Sequence, residues 1–128
     1  MVPKALPEYD WDLDRYLRRM WDERHNHRLF YQSARWRALR QRVLEEHHYE
    51  SWDEKHASPA RYVRATCVHH DRFVFNYPGW ALSEWWADDD GHVHRNLFPL
   101  SHEAHDARHN RSLNARKPPA FELTKEMW

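Results

Sequence analysis

The sequence predicts an α+β fold in which two helices precede a strand, a long loop, a second strand and a further helix. Apolar residues recur at three- and four-residue steps over residues 9–27 and again over residues 33–47. Residues 61–70 are rich in β-branched and aromatic side chains, and a short apolar run follows at residues 96–100. The first pattern is typical of amphipathic helices and the second of strands.

The two N-terminal segments are predicted as amphipathic helices. Charged residues fill the gaps between the apolar positions of residues 9–27, which are Trp11, Leu13, Tyr16, Leu17, Met20 and Trp21. Ser33 is a suitable N-cap for the second helix, and its apolar stripe consists of Trp36, Leu39, Val43 and Leu44. Such stripes predict one buried face on each helix.

The remaining elements follow from turn signals and caps. Residues 49–60 are polar and end in Ser58-Pro59, so we predict a loop. Residues 71–95 form a long excursion, with a predicted helical turn at residues 81–86 and an acidic turn at residues 88–91. The second strand covers residues 96–100, and Ser101 caps a helix over about residues 102–113. One more helical turn is predicted near the C-terminus.

Composition excludes several classes of protein. Twenty basic and twenty acidic side chains balance, which argues against a uniformly polybasic nucleic-acid coat, although basic stretches at 35–42 and 108–117 offset an acidic one at 84–90. One cysteine excludes a disulfide framework or multi-cysteine zinc site, and two glycines exclude a P-loop. A mean hydropathy of −1.12 without a long apolar run excludes a membrane span. With no secretory signal at the N-terminus, we expect a soluble, intracellular chain.

Twelve histidines stand out, and four of them form a pattern that suits metal chemistry. His105 and His109 have i, i+4 spacing, which places two imidazoles on one helix face about 6 Å apart, where both can bind one divalent ion. A third ligand has to come from another element. His69 and His70 end a predicted strand and point to opposite sides, so one can bind metal while the other faces a substrate.

These residues resemble the His-Asn-His (HNH) endonuclease family, in particular its small phage-type members. The matching features are the Val68-His69-His70 run, the segment beginning at Asn96 and continuing to Leu100, and His105 nine residues after the asparagine. Residues 30–40 are similar to the segment that precedes the nuclease motif, so the resemblance covers roughly residues 30–128. It implies a single domain with an N-terminal extension and helix (1–29), a nuclease core (30–117) and a C-terminal tail (118–128).

The resemblance implies a ββα-metal (His-Me finger) core and a role for each matching residue. His70 would be the general base that deprotonates water, and Asn96 would fix the hairpin loop and orient the His70 ring. His69, His105 and His109 would hold one divalent ion, either Mg²⁺, Mn²⁺, Ni²⁺ or Zn²⁺. The implied reaction is hydrolysis of a DNA phosphodiester bond.

One departure from the family concerns structural zinc. Most phage relatives carry two Cys-x-x-Cys pairs, and the corresponding positions here are Ser51, Glu54, Ser101 and Ala104. We therefore expect no structural zinc. We expect aromatic packing to replace its contribution, through Trp52, Trp80, Trp85 and Trp86.

Arginines supply candidate contacts to DNA, because phosphate neutralisation dominates the affinity of proteins for nucleic acid. The candidates are Arg35, Arg37, Arg40, Arg108 and Arg111, although a solvated helix face is an equally good explanation of the first three. The resemblance alone implies phage terminase and portal proteins as partners, and the cytoplasm of a bacterial host as the location. His102 is interpreted as lying near the metal shell or the helix N-terminus, and the other seven histidines as surface residues.

Two further functions remain open. One is a degenerate HNH domain that binds DNA or a packaging partner without cutting. The other is a histidine-rich metal-binding protein with no nucleic-acid role.

Overall fold

The computed structural model describes residues 5–116, and residues 111–116 by their backbone alone. The elements are α1 (Trp11–Arg24), α2 (Ala34–Glu46), α3 (Trp52–Lys55), β1 (Cys67–His70), β2 (Trp85–Ala87), β3 (Val93–Arg95), β4 (Leu97–Leu100) and α4 (His102–Arg116). Two 3₁₀ turns lie at His27–Gln32 and Pro78–Trp80. This mixture of helices and small antiparallel sheets confirms the α+β class.

Helix α2 begins directly after Ser33, as predicted, whereas α1 begins at Trp11, two residues later than predicted, because Asp10 is its cap. Asp10 accepts a hydrogen bond from the Leu13 N–H, and Ser33 accepts one from the Trp36 N–H. Helix α1 ends at His25, which takes the left-handed conformation with φ 52°. The predicted stripe of α2 is buried, whereas that of α1 is buried only in part: Trp11 and Tyr16 are exposed and Met20 is partly buried. The buried residues of the two stripes join in one core cluster of Leu13, Leu17, Trp21, Trp36, Leu39, Val43 and Leu44.

Strands β1 and β4 pair antiparallel and lead directly into α4. The register joins Cys67 to Leu100 and His70 to Leu97. Residues 61–66 were predicted as part of the first strand, but only Arg64 makes an isolated bridge there, to Glu50. The strand is short because β4 offers only four residues to pair with. Ser101 then accepts a hydrogen bond from the Ala104 N–H and caps α4, as predicted.

The long loop between β1 and β4 differs from the prediction. Residues 81–86 were predicted as a helical turn, but Trp85–Ala87 forms β2 and pairs with β3. The carboxylate of Asp88 accepts hydrogen bonds from the backbone of Asp90 and His92, and Gly91 has φ +84°, so the acidic turn is a hairpin turn. Trp86 lies opposite His94 across the hairpin, with ring centroids 4.2 Å apart. This cross-strand pair favours strand over helix at Trp86.

A short helix also replaces part of the predicted loop at residues 49–60. Helix α3 spans Trp52–Lys55, directly after Ser51. The pattern Ser51-x-x-Glu54 is typical of a helix N-terminus, so the sequence does contain a signal for α3 that the loop prediction did not use. The predicted C-terminal turn and the tail at 118–128 lie outside the described residues.

Helix α1 packs in the same core as the rest of the chain. Leu13, Leu17 and Trp21 of α1 share the core cluster with Val68 of β1 and Leu97 of β4. The segment before α1 lies against the 3₁₀ turn, where the Asp10 N–H donates to the Gly79 carbonyl at 3.3 Å. No helix among residues 5–116 is long and apolar enough to cross a membrane.

Candidate functional site

His69 and His70 lie on opposite sides of β1, as the alternation of a strand requires. The ring of His69 faces α4, where its centroid lies 5.6 Å from that of His105. The ring of His70 faces α2 instead, with its centroid 4.6 Å from the ring of Trp36. The two neighbouring histidines therefore sit in different environments, one beside α4 and one inside the core.

His69 is in the chemical form that a metal ligand needs. Burial, followed by the positive charge of Arg108, lowers its pKa to about 4. The ring is therefore neutral at pH 7 and keeps a nitrogen lone pair. Its nearest imidazole partner is His105, which lies one turn after the Ser101 cap of α4.

His109 is not gathered with the other two predicted ligands. Its side chain is exposed, and the three histidines do not form a group of donors within 4.8 Å of one another. Among the residues whose side chains are described, the group that meets this distance consists of Asp88, Asp90 and His92 in the β2–β3 turn. The geometry thus presents a two-imidazole pair at α4 and a separate, mostly exposed cluster at the hairpin.

His70 is held inside the protein. It is only 6% exposed, and its Nε2 lies 2.9 Å from the carbonyl oxygen of Ala81. Because a carbonyl can only accept, Nε2 carries the proton and Nδ1 is left with the lone pair. Burial lowers the pKa of His70 to about 4, so the ring is neutral at pH 7.

Asn96 ties the long loop together from a fully buried position. Its amide donates to the carbonyls of Trp80 and Ser83, both at 2.9 Å, and its side-chain oxygen accepts from the Arg72 N–H at 2.9 Å. Its backbone N–H donates to the Glu84 carbonyl. Trp80 directly precedes Ala81, the acceptor for His70. Asn96 therefore fixes the loop and, through it, the backbone group that orients the His70 ring.

Ser51, Glu54 and Ser101, three of the four positions at which the resemblance would place zinc ligands, carry polar side chains that hydrogen-bond to one another. The Ser101 hydroxyl donates to Glu54 at 2.5 Å, and the Ser101 N–H donates to the Ser51 hydroxyl at 2.8 Å. Ser51 in turn donates to the other oxygen of Glu54. Burial acts to raise the pKa of Glu54, but the hydrogen bonds from Ser101 and Ser51 outweigh it and hold the pKa below its usual value.

The sequence did not predict this polar cluster, since the expectation was that packing of four tryptophans replaces the contribution of structural zinc. Trp80 and Trp86 are buried, whereas Trp52 and Trp85 are half-buried. The guanidinium of Arg95 lies between these last two rings, 4.6 Å from the centroid of Trp52 and 4.7 Å from that of Trp85. The guanidinium of Arg72 lies 3.6 Å from the ring centroid of Trp86, so three of the four tryptophans hold a cation as well as apolar neighbours.

The predicted DNA-binding arginines fall into different environments. Arg108 makes a bidentate ion pair with Asp53, at 2.8 and 2.5 Å, and its guanidinium covers the ring of Phe98. Arg40 donates to the Thr66 carbonyl at 2.6 Å. Arg35 and Arg37 are exposed on α2 and have no ion pair within the described part of the chain. Arg111 lies in α4, where only the backbone is described.

His102 is the first residue of α4. Its Nε2 lies 3.2 Å from the carboxylate of Asp106, and its side chain is exposed. This position agrees with the helix N-terminus that the sequence offered as one of its two interpretations.

The chain was compared with models of protein families, with curated proteins and with solved structures, and none of the three comparisons finds a match.

Proposed function

We propose that this protein is a metal-dependent DNA endonuclease of the HNH type, built on a ββα-metal core of β1, β4 and α4. The observation that carries the proposal is the approach of His69, in β1, to His105, in α4, with ring centroids 5.6 Å apart. The intervening loop is held by the buried side chain of Asn96. Strand, asparagine-tied loop, strand and helix follow one another in the order that the resemblance implies.

The donors at this site fit a divalent ion of the kind that imidazole binds. His69 is neutral at pH 7 because of its lowered pKa, and it faces a second imidazole. His69 and His105 would hold the ion. His109, one helical turn further along α4, is the proposed third ligand, and its exposed side chain would have to turn toward the pair to reach the ion. When bound, the ion supplies positive charge that stabilises the phosphorane-like transition state and the leaving 3′ oxygen.

His70 is the proposed general base. Its Nε2 proton is committed to the Ala81 carbonyl, which leaves Nδ1 as the nitrogen that accepts a proton from water. With a pKa of about 4 the ring is entirely in its basic form at pH 7. Fixing the tautomer through a backbone carbonyl keeps that lone pair available without a carboxylate partner.

DNA is the proposed substrate, and α2 offers its phosphate contacts. Arg35 and Arg37 are exposed on the same helix whose opposite face buries Trp36 against His70. Charged guanidinium groups at such positions bind phosphate with an affinity that depends on salt. By resemblance alone, the DNA would be a phage genome during packaging, in contact with terminase and portal proteins.

The burial of His70 favours one alternative, a silent HNH-like module that binds DNA or a protein partner without cutting. The ring is 6% exposed and packs between aromatic side chains of the core. A base has to reach the water that it deprotonates. In the alternative, His70 serves the core and the arginines of α2 serve binding.

A plasmid assay separates the two functions. Purified protein is incubated with supercoiled plasmid in Mg²⁺, Mn²⁺, Ni²⁺ or Zn²⁺, beside the variants His70→Ala and His105→Ala. The nuclease proposal expects nicking by the wild type and its loss in both variants. Binding without nicking under every metal supports the silent module. Undiminished nicking by His70→Ala refutes the assignment of the base.

Calorimetric titration with Ni²⁺ and Zn²⁺ locates the metal. His105→Ala should abolish the binding that the nuclease proposal needs. Asp88→Asn is the matched control, because it removes a donor from the hairpin cluster of Asp88, Asp90 and His92 instead. If only Asp88→Asn loses metal binding, the ion belongs to the hairpin and the proposed ligands are incorrect.

A further inference from the structure

Helix α3 has four residues, and two of its acidic side chains contact α4 at points on either side of His105. Glu54 accepts a hydrogen bond from Ser101, the N-cap of α4. Asp53 pairs with Arg108, which lies almost two turns further along α4. His105 therefore lies on a stretch of helix that is held at both ends by the same short element.

The contact at the N-cap is a closed hydrogen-bond network. Each serine hydroxyl donates to one oxygen of Glu54 and accepts from a backbone N–H, that of Ser101 for Ser51 and that of Ala104 for Ser101. Both serines are buried, so a broken hydrogen bond here would leave a polar group without water. Such a network permits little sliding or rotation of the first turn of α4.

The second contact joins α3, α4 and β4. The guanidinium of Arg108 donates one hydrogen bond to each carboxylate oxygen of Asp53 and lies 4.3 Å from the ring centroid of Phe98. Phe98 is the cross-strand partner of His69 in the β1–β4 register. Bidentate pairing restricts rotation about the helix axis more than a single contact does. The face of α4 that carries His105 is thus set relative to the strand that carries His69.

We propose that Glu54 and Asp53 are positioning residues that hold His105 opposite His69. Glu54 acts through the N-cap of α4 and Asp53 through Arg108, while the negative charge of Asp53 also acts directly on His69. The proposed alignment is a property of the apo protein, and its effect on metal affinity rests on the proposed nuclease function. Residues that hydrogen-bond directly to metal ligands typically change metal affinity by about 10- to 100-fold when substituted, and we expect residues that act through the helix to lie at the lower end of that range.

The test compares Glu54→Gln and Asp53→Asn with two controls. Glu103→Gln removes the same charge from the first turn of α4 outside the network, and Val74→Ala destabilises the core away from α3. The first measurement needs no metal, since it is the nuclear Overhauser effect between the ring protons of His69 and His105 in the full chain. The second is the affinity for Ni²⁺ by calorimetry.

Both positioning variants should weaken the ring-to-ring signal and lower the affinity for Ni²⁺ by about tenfold or more. Both controls should keep the ring-to-ring signal and keep the affinity for Ni²⁺ within twofold. This should hold for Val74→Ala even where it lowers the melting temperature as much as the positioning variants do. Unchanged signals in both positioning variants would overturn the proposal. If Val74→Ala loses signal and affinity equally, the effect is one of stability and the proposal is also overturned.

Two further results keep the proposal separate from the nuclease assignment. If the wild type binds no metal at His69 and His105, the nuclease proposal fails while the ring-to-ring signal still decides the role of α3. If Asp53→Asn does not fold, Arg108→Lys keeps the charge and removes the bidentate geometry. That variant should lose the signal in part, and a full signal would contradict the role of the second contact.

Discussion

The side-chain amide of Asn96 donates to the carbonyl of Trp80 at 2.9 Å, one residue before the carbonyl that binds His70. Asn96 therefore fixes the backbone next to Ala81, and the Ala81 carbonyl orients the ring of His70, eleven residues earlier in the chain. It makes the loop between β1 and β4 a fixed part of the site, because both ends and the middle of the loop are tied to one side chain.

Replacing Asn96 by aspartate should destabilise the protein strongly. The carboxylate would face the Trp80 and Ser83 carbonyls, which now accept from the amide, and no water reaches this position. We expect the free energy of unfolding to fall by about 3 kcal/mol or more. Urea denaturation measures it, with Asn76→Asp, at an exposed position in the same loop, as the control. Equal midpoints for the two variants would contradict the role given to Asn96.

Acid should destabilise the protein before its carboxylates titrate. The pKa of His70 is about 4 in the folded protein and near 6.5 in an unfolded chain, so only the unfolded state takes up the proton between these values. The stabilisation is complete above pH 6.5 and is lost as the pH falls toward 4. A shift of this size corresponds to about 3 kcal/mol.

Urea midpoints measured from pH 7.5 to 4 test this dependence. His69 titrates in the same window, so His70→Phe should reduce the slope of stability against pH rather than remove it. Phenylalanine keeps a ring beside Trp36 and carries no titrating group. An unchanged slope in that variant would show that His70 already accepts the proton in the folded state.

A methyl group at Gly79 should detach the N-terminal segment from the rest of the protein. A Cβ there would lie 2.5 Å from the ring of Tyr9 and 2.7 Å from the backbone oxygen of Asp10. Overpacking of this kind costs about 1–3 kcal/mol, and backbone cannot move aside cheaply. Thermal unfolding and limited proteolysis near residue 10 measure the effect of Gly79→Ala.

Gly91→Ala is the matched control for Gly79→Ala. Gly91 has φ +84° but open space around its Cα, so its substitution adds backbone strain without a steric clash. We expect a loss of about 1 kcal/mol in the free energy of unfolding and no change in proteolysis near residue 10. New cleavage near residue 10 in both variants would show that the packing of Tyr9 against Gly79 is not what holds the N-terminal segment in place.

Arg35→Gln and Arg37→Gln should weaken DNA binding without affecting stability. Both side chains are exposed, and each phosphate contact contributes close to one unit to the slope of log affinity against log salt. Binding of a duplex oligonucleotide at several salt concentrations measures this slope. Arg24→Gln, in the last turn of α1, is the control. If the three variants share one slope, α2 is not the phosphate-binding surface.

Helices α1, α2 and α4 and the strand β4 could be predicted from the sequence because their signals are local, whereas α3 was predicted as part of a loop. Apolar spacing gave the buried faces of α1 and α2, and Ser33 and Ser101 gave the starts of α2 and α4. That β1 and α4 bring His69 and His105 together agrees with their spacing, while their role as a site stays a prediction. The β2–β3 hairpin was mistaken for a helical turn, since Trp85 and Trp86 show no period of two over so short a strand.

The sequence by itself determined that His69 and His70 point to opposite sides of a strand, because successive side chains alternate. Only the tertiary structure decided that His69 faces α4 and His70 faces α2, since this depends on which helix covers each side of the β1–β4 pair. The same holds for Glu54. Its hydrogen-bond network joins Ser51 and Glu54 to Ser101, about fifty positions away in the chain. These hydrogen bonds are strong because the site is buried, where the dielectric constant is low.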